Sequence, residues 1–235
     1  MNHSSNKKAE IRIYTELPEK DKKKYILWDM DGVLINSEGQ HYRAWKRVFK
    51  ALFGLEDVDY DLYKSCIGCR FTVIQGIMQE HYGLDIDTPE VRARNEQEKR
   101  AIEAEEGFLA TEGISETIHE LKKRGYVMAV ASSSPQSYIE RVVKAIGIED
   151  CFTVLLSGEQ VKNSKPAPDT FLVAAEMLGA SPEECVVVED SFNGSTAAKA
   201  AGMYCIGYDN PDSGEQNLEK ADVIIDYMPD VLEML

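Results

Sequence analysis

Two aspartates stand two positions apart at the end of an apolar run, in Tyr25-Ile-Leu-Trp-Asp29-Met-Asp31-Gly32-Val-Leu-Ile. Carboxylates are hard oxygen donors, so such a pair can hold a divalent cation while one member acts as nucleophile or general acid. The side-chain period of a strand is two, which points Asp29 and Asp31 the same way if the strand continues. Gly32 then lets the backbone turn away beneath them. The same residue types also make a surface turn after an edge strand, because Asp and Gly dominate turns. Ser132 and the pair Glu189-Asp190 also follow apolar runs directly, and Lys165, in Lys165-Pro-Ala-Pro168, sits in the loop after a weaker run. Each segment alone reads as a helix start, a capped turn or a rigid linker.

The elements that must position these residues fall into two blocks. Residues 1–24 read as a polar leader, mobile and without assigned chemistry. After the aspartate turn, apolar spacing predicts helices over 39–53, 60–66, 72–81 and 89–106, with almost no strand signal. From Gly113 onward the rhythm changes to strands at 126–131, 153–156, 185–188, 204–206 and 223–225. Helices at 114–123, 137–146, 169–178 and 194–201 alternate with them. Alternation of this kind means a parallel sheet with right-handed crossovers, whose ligands bind beyond the carboxyl ends of the strands. That rule gathers Asp29, Asp31, Ser132, Lys165, Glu189 and Asp190 at one edge of one sheet.

Composition narrows the partners. The 235 residues are 43% hydrophobic, enough for a full core, and 41 acidic residues oppose 26 basic ones for a net charge of -15. Such a field repels nucleic acid and anionic membranes, so a small anionic substrate needs a metal or a few well-placed cations. No apolar run reaches membrane-spanning length and the first residues lack the apolar core of a signal peptide, so the expected address is cytoplasmic. Five scattered cysteines argue against a disulfide framework. Cys66-Ile-Gly-Cys69 has C-x-x-C spacing, yet lacks a second ligand pair for zinc and a preceding strand for a thioredoxin-like site. Packing thiols remain the alternative.

The four segments resemble the motifs of the haloacid dehalogenase superfamily: Asp29-Met-Asp31-Gly-Val, Ser132, Lys165 and Glu189-Asp190. His41-Tyr-Arg-Ala-Trp45-Lys, Ile67-Gly68-Cys-Arg70, Ser164-Lys165-Pro-Ala-Pro-Asp169 and Val188-Glu-Asp-Ser191 are similar to its β-phosphoglucomutase-like subgroup. The resemblance implies an α/β fold, a Rossmann-like parallel-sheet core over 25–37 and 112–235 with an inserted α-helical cap over 38–111. It implies an enzyme, with Asp29 as the nucleophile that becomes phosphorylated, Asp31 as general acid and base, and Ser132 and Lys165 holding the phosphoryl oxygens. Mg2+ would be held by Asp29, Asp190 and the Met30 or Asp31 backbone, with Glu189 supporting. Ser133, Ser134, His41, Trp45, Gly68 and Arg70 would contact the substrate, Arg70 from a cap loop. The expected partner is a small phosphorylated metabolite, the expected state a monomer.

Within that subgroup the chain departs from the mutase pattern. Pro135-Gln136 stands where mutases carry Lys-Asn, Asn36 where an aspartate is usual, and Val73 where the mutase cap loop offers a serine. A mutase must hold a bisphosphorylated intermediate in two orientations, whereas a phosphatase needs only water, so these losses favour hydrolysis of small sugar phosphates over β-phosphoglucomutase activity. An inactive binding protein or a phosphoacceptor signalling domain on the same sheet are readings of another class. The intact polar set opposes the first, and the paired aspartates and helical insertion oppose the second.

Overall fold

The structure is a computed structural model that describes residues 12–13 and 24–235. Six strands run parallel: β2 (Tyr25–Trp28), β3 (Val127–Ser132), β4 (Val154–Ser157), β5 (Cys185–Glu189), β6 (Tyr204–Tyr208) and β7 (Val223–Ile225). With β1 (Arg12–Ile13) they lie in the order β1-β7-β6-β5-β2-β3-β4. β1 runs antiparallel to β7, with Arg12 opposite Ile224. That strand corrects the expectation of an unstructured leader at these two residues; the rest of the leader, up to residue 23, lies outside the described residues.

Alternation along the strands builds two cores. Ile26 and Trp28 join Met128, Val130, Val186 and Val188 on one face of the sheet. Leu27 joins Ala129, Ala131, Val187 and Cys205 on the other, against Phe171 and Ala174 of a helix. Strands buried on both faces read as continuous apolar runs, which is how they stand in the sequence. Helices α5 (Ile114–Lys123), α6 (Gln136–Ala145), α7 (Asp169–Leu178), α8 (Phe192–Ala200) and the short α9 (Val231–Met234) cover the faces.

Between β2 and β3 the chain inserts α1 (Glu38–Phe53), α2 (Tyr60–Ser65), α3 (Phe71–Tyr82) and α4 (Pro89–Glu106). The bundle has its own core, including Trp45, Phe49, Tyr63, Met78 and Val91. Local signals set its limits: the Thr88 hydroxyl caps α4 by accepting from Val91 N–H, Pro89 opens it, and Gly54 ends α1 at φ +71°. The two arms joining the bundle to the sheet are paired with each other. Ile35 bridges Ala110, Asn36 N–H donates to Leu109 O at 2.7 Å, and Thr111 N–H donates to Leu34 O at 3.1 Å.

Candidate active site

The parallel register brings the ends of the central strands level. Trp28 lies opposite Val130 on one side and Val188 on the other, and Asp29 N–H donates to Val188 O at 3.0 Å. The chain then turns within five residues, with Leu34 N–H on Met30 O at 2.8 Å and Gly32 N–H on Ile35 O at 2.7 Å. Gly32 has φ +82°, and a Cβ there would fall 1.9 Å from Asp190 Oδ2. Only glycine satisfies both the left-handed turn and the approach of the second acidic segment.

Four charged side chains lie beneath this turn, Asp29, Lys165, Glu189 and Asp190, exposed by only 4%, 1%, 0% and 1%. Lys165 Nζ donates to Asp29 Oδ1 at 2.5 Å and to Glu189 Oε1 at 2.8 Å. The other Glu189 oxygen accepts from Ser191 N–H at 2.8 Å and Ser191 Oγ at 2.9 Å. Both oxygens of Glu189 are thus used within the protein. It brackets Lys165 and the start of α8. Asp190 accepts a short hydrogen bond from the Ser213 hydroxyl.

Three buried carboxylates share the site with one ammonium, which pairs with two of them, Asp29 and Glu189. Burial, outweighing the pull of Lys165, pushes Asp29 well above the ordinary carboxylate range, with Glu189 and Asp31 adding repulsion. Burial and then Glu189 and Asp29 push Asp190 up as well. For Lys165 burial opposes the charge, yet Asp29 and Glu189 raise its value. The site is short of positive charge, and oxygen donors in this state suit a hard divalent cation. Among the described residues no three His, Cys, Asp or Glu side chains converge as a ligand cluster. A small octahedral cation needs no more than one or two carboxylates with a carbonyl and waters, and Asp29 and Asp190 meet that need.

Asp31 is held apart from this group. Its Oδ1 accepts from Ser37 Oγ and its Oδ2 from Ser134 Oγ, each at 2.6 Å. Its side chain is therefore bracketed by hydroxyls. Ser132 Oγ accepts from Ser134 N–H at 3.1 Å, and Ser133 Oγ donates to Gly68 O at 2.8 Å across the gap between sheet and bundle. Gly68, at φ +81°, lies so close to α8 that a Cβ would stand 2.4 Å from Ser191 Oγ. Asn193 Nδ2 donates to Ile67 O at 2.8 Å, closing the same seam.

A cavity of about 430 Å³ opens over Asp29 and Asp31, and Ser132, Ser133, Ser134, His41, Trp45 and Gly68 all border it. Trp45 is nevertheless mainly a core residue, 2% exposed and stacked on Phe71 at 5.2 Å. His41 Nε2 lies 3.3 Å from Tyr138 OH and 3.7 Å from Asp31 Oδ1. Burial, with Lys99 nearby, lowers its imidazole to about 3, so at neutral pH it is an uncharged hydrogen-bonding ring. Arg70 does not border the cavity, and its Nε is buried without a hydrogen-bond partner. It stands at the turn preceding α3, between Cys69 and Phe71, which do border the cavity. Of the C-x-x-C pair, Cys66 is buried and Cys69 half-buried, neither in a disulfide, and burial pushes the Cys69 thiol up to about 12. They are packing thiols.

Residues absent from the sequence reading complete the wall: Glu38, Tyr63, Tyr138, and Arg92, Asn95 and Lys99 from α4. The signal for α4 was a stripe. Val91, Asn95, Glu98 and Ile102 are its buried positions, so polar residues interrupt an otherwise apolar face. Glu38 Oε2 accepts from Tyr63 OH at 2.6 Å, and burial together with Asp31 pushes its carboxyl up to about 7. A carboxyl raised in the folded state contributes stability that is present below its ordinary 4.5 and is lost as pH rises through about 7. Glu38→Gln, which keeps an acceptor for Tyr63, is expected to raise stability at pH 8 by up to about 3 kcal/mol and to do little at pH 4.5. Thermal melts of both proteins across this range check it; an equal shift at every pH would contradict it.

Residues 26–208 match the family described as haloacid dehalogenase-like hydrolase. The chain is 37% identical over 185 residues to the protein SUPPRESSOR OF QUENCHING 1, chloroplastic, of Arabidopsis thaliana, covering 77% of this chain but only 17% of that protein. It is 31% identical to the phosphorylated carbohydrates phosphatase of Thermotoga maritima, over 76% of this chain and 81% of the relative. Among solved structures, CbbY from Rhodobacter sphaeroides in complex with xylulose-(1,5)bisphosphate superposes with a TM-score of 0.77 at 27% identity. That match covers 88% of this chain and 96% of the other.

Proposed function

The chain belongs to the haloacid dehalogenase-like hydrolase family, and on that premise we propose that it is a phosphatase that hydrolyses small sugar phosphates and similar phosphomonoesters through a phosphorylated Asp29. The observation that carries this reading is the buried Asp29–Lys165–Glu189 chain lying beside a hydroxyl-bracketed Asp31 at the base of one cavity. In it residues 25–37 and 112–235 supply the chemistry and residues 38–111 select the substrate. The cavity, about 430 Å³, is of the size that holds such a metabolite. A net charge of -15 disfavours polyanionic partners such as nucleic acid.

Asp29 attacks phosphorus in line, and the bond to the ester oxygen breaks. Lys165 holds the Asp29 carboxylate in one orientation and opposes the charge that gathers around it. Asp31 delivers the proton to the leaving oxygen, then takes a proton from the water that hydrolyses the acyl phosphate. Ser132 and the backbone N–H groups beside it donate to the equatorial oxygens. Asp29, Asp190 and the Met30 or Asp31 carbonyl would hold Mg2+, which supplies neutralisation of phosphoryl charge in a site short of cations.

Hydrolysis is favoured over isomerisation by the segment after Ser134. Pro135 borders the cavity, and Gln136 is turned to neighbours, donating to Glu140 Oε1 at 3.0 Å and accepting from Gln160 Nε2 at 2.8 Å. That segment offers no cation to a second phosphate. The test is incubation with Mg2+, β-glucose 1-phosphate and a trace of glucose 1,6-bisphosphate, following free phosphate and glucose 6-phosphate together. Phosphate without isomerisation is expected; conversion to glucose 6-phosphate with little phosphate would establish a mutase instead.

A further inference from the structure

Helix α4 turns Arg92, Asn95 and Lys99 toward the cavity, spaced by three and four residues along one face. These three are not equivalent. Arg92 is paired with Glu159 of the sheet domain. Lys99 forms no ion pair among the described residues; its ammonium lies over the Tyr138 ring, 5.4 Å from the centroid. Asn95 is 2% exposed, and its Nδ2 has no hydrogen-bond partner.

A buried amide N–H without an acceptor is a cost to the fold, and a half-buried ammonium that forms no ion pair is placed to take an anion. Both side chains carry donors, and both residues line the cavity that opens over Asp29 and Asp31. A neutral hydroxyl would satisfy Asn95 but leave the Lys99 charge unmatched. Glu38, a carboxylate that borders the same cavity, already accepts from Tyr63. Resting on the phosphatase reading, the geometry points to a substrate that carries a second anionic group, a carboxylate or a phosphate, which Lys99 and Asn95 bind while the first phosphoryl group lies on Asp29. Lys99 is then the residue that determines specificity, and it does so from the bundle rather than from the segment after Ser134.

The experiment compares two pairs of esters in Mg2+: 6-phosphogluconate with glucose 6-phosphate, and fructose 1,6-bisphosphate with fructose 6-phosphate. In at least one pair the doubly anionic member is expected to show roughly ten-fold higher kcat/KM, a fold-change of about 1.4 kcal/mol. Preference in the first pair alone identifies a carboxylate site, in the second alone a phosphate site. Lys99→Met should bring that ratio to near one, and Lys99→Arg should keep it. Ratios near one in wild-type protein for both pairs, or a preference that survives Lys99→Met, would overturn the assignment. Absence of phosphate release from all four esters would defeat the phosphatase reading itself. The Lys99 assignment is then decided by thermal melts with the same four compounds. Doubly anionic members must raise the Tm of wild-type protein more than that of Lys99→Met, and equal shifts would overturn it.

Discussion

Asp29→Asn yields a folded protein whose kcat falls by roughly 10⁴-fold or more, the scale of losing a covalent nucleophile. The amide matches the carboxylate in size and can still accept from Lys165, while Lys165 retains Glu189 at 2.8 Å. Burial holds the Asp29 carboxyl well above its ordinary range. A group raised in this way contributes stability below its unfolded value and loses it as pH rises, so removing the charge should not lower Tm near pH 8. Steady-state phosphate release and a thermal melt on the same preparation separate chemistry from folding. A variant that kept more than a tenth of wild-type kcat would overturn the assignment of Asp29.

Lys165→Met is expected to damage both fold and turnover. The methionine fills similar volume but leaves Asp29 and Glu189 buried side by side without the cation that joins them. Breaking a buried ion pair from one side costs about 3–5 kcal/mol, and at about 2–4 °C for each the Tm should fall by roughly 6–20 °C. The deficit has a direction in pH. With Lys165 gone, the carboxyls must take up protons to stay buried, so the Tm gap from wild type should widen from pH 5 to pH 8 in metal-free buffer. Turnover should fall by at least about 10³-fold, since both orientation of the nucleophile and a charge-stabilising donor are lost. An unchanged melt would mean that Lys165 carries no such burden.

Much of this site could be read in the residues. Strong apolar runs ending in Asp29, Ser132 and Glu189 mark strand ends, and in a parallel sheet strand ends are neighbours. What escaped is informative in physical terms. A two-residue strand such as Arg12–Ile13 has no period to detect. The residue type of Glu189 does not reveal that its two oxygens bracket Lys165 and Ser191, because those partners lie in a distant loop and in the following turn. Arg70 and Lys99 differ in their setting within the bundle, which depends on how α3 and α4 lie against α1 and not on the local pattern. The mean polarity of α4 hid that Asn95 and Glu98 share a buried stripe with Val91 and Ile102.

The pairing of the two arms, Ile35 with Ala110 and Asn36 with Leu109, has a consequence for chain entropy. The bundle leaves and re-enters the sheet through one doorway, so the sheet sees two adjacent ends instead of a loop of roughly 70 residues. Closing a loop of that size costs about 4 kcal/mol, and doubling it adds only about 0.6 kcal/mol. What lies beyond the doorway can therefore change greatly in length and sequence while the strands that hold Asp29 and Glu189 stay in register. On the proposed reading, catalysis and selection fall in separate stretches of chain, and the second can be rewritten at little thermodynamic expense to the first.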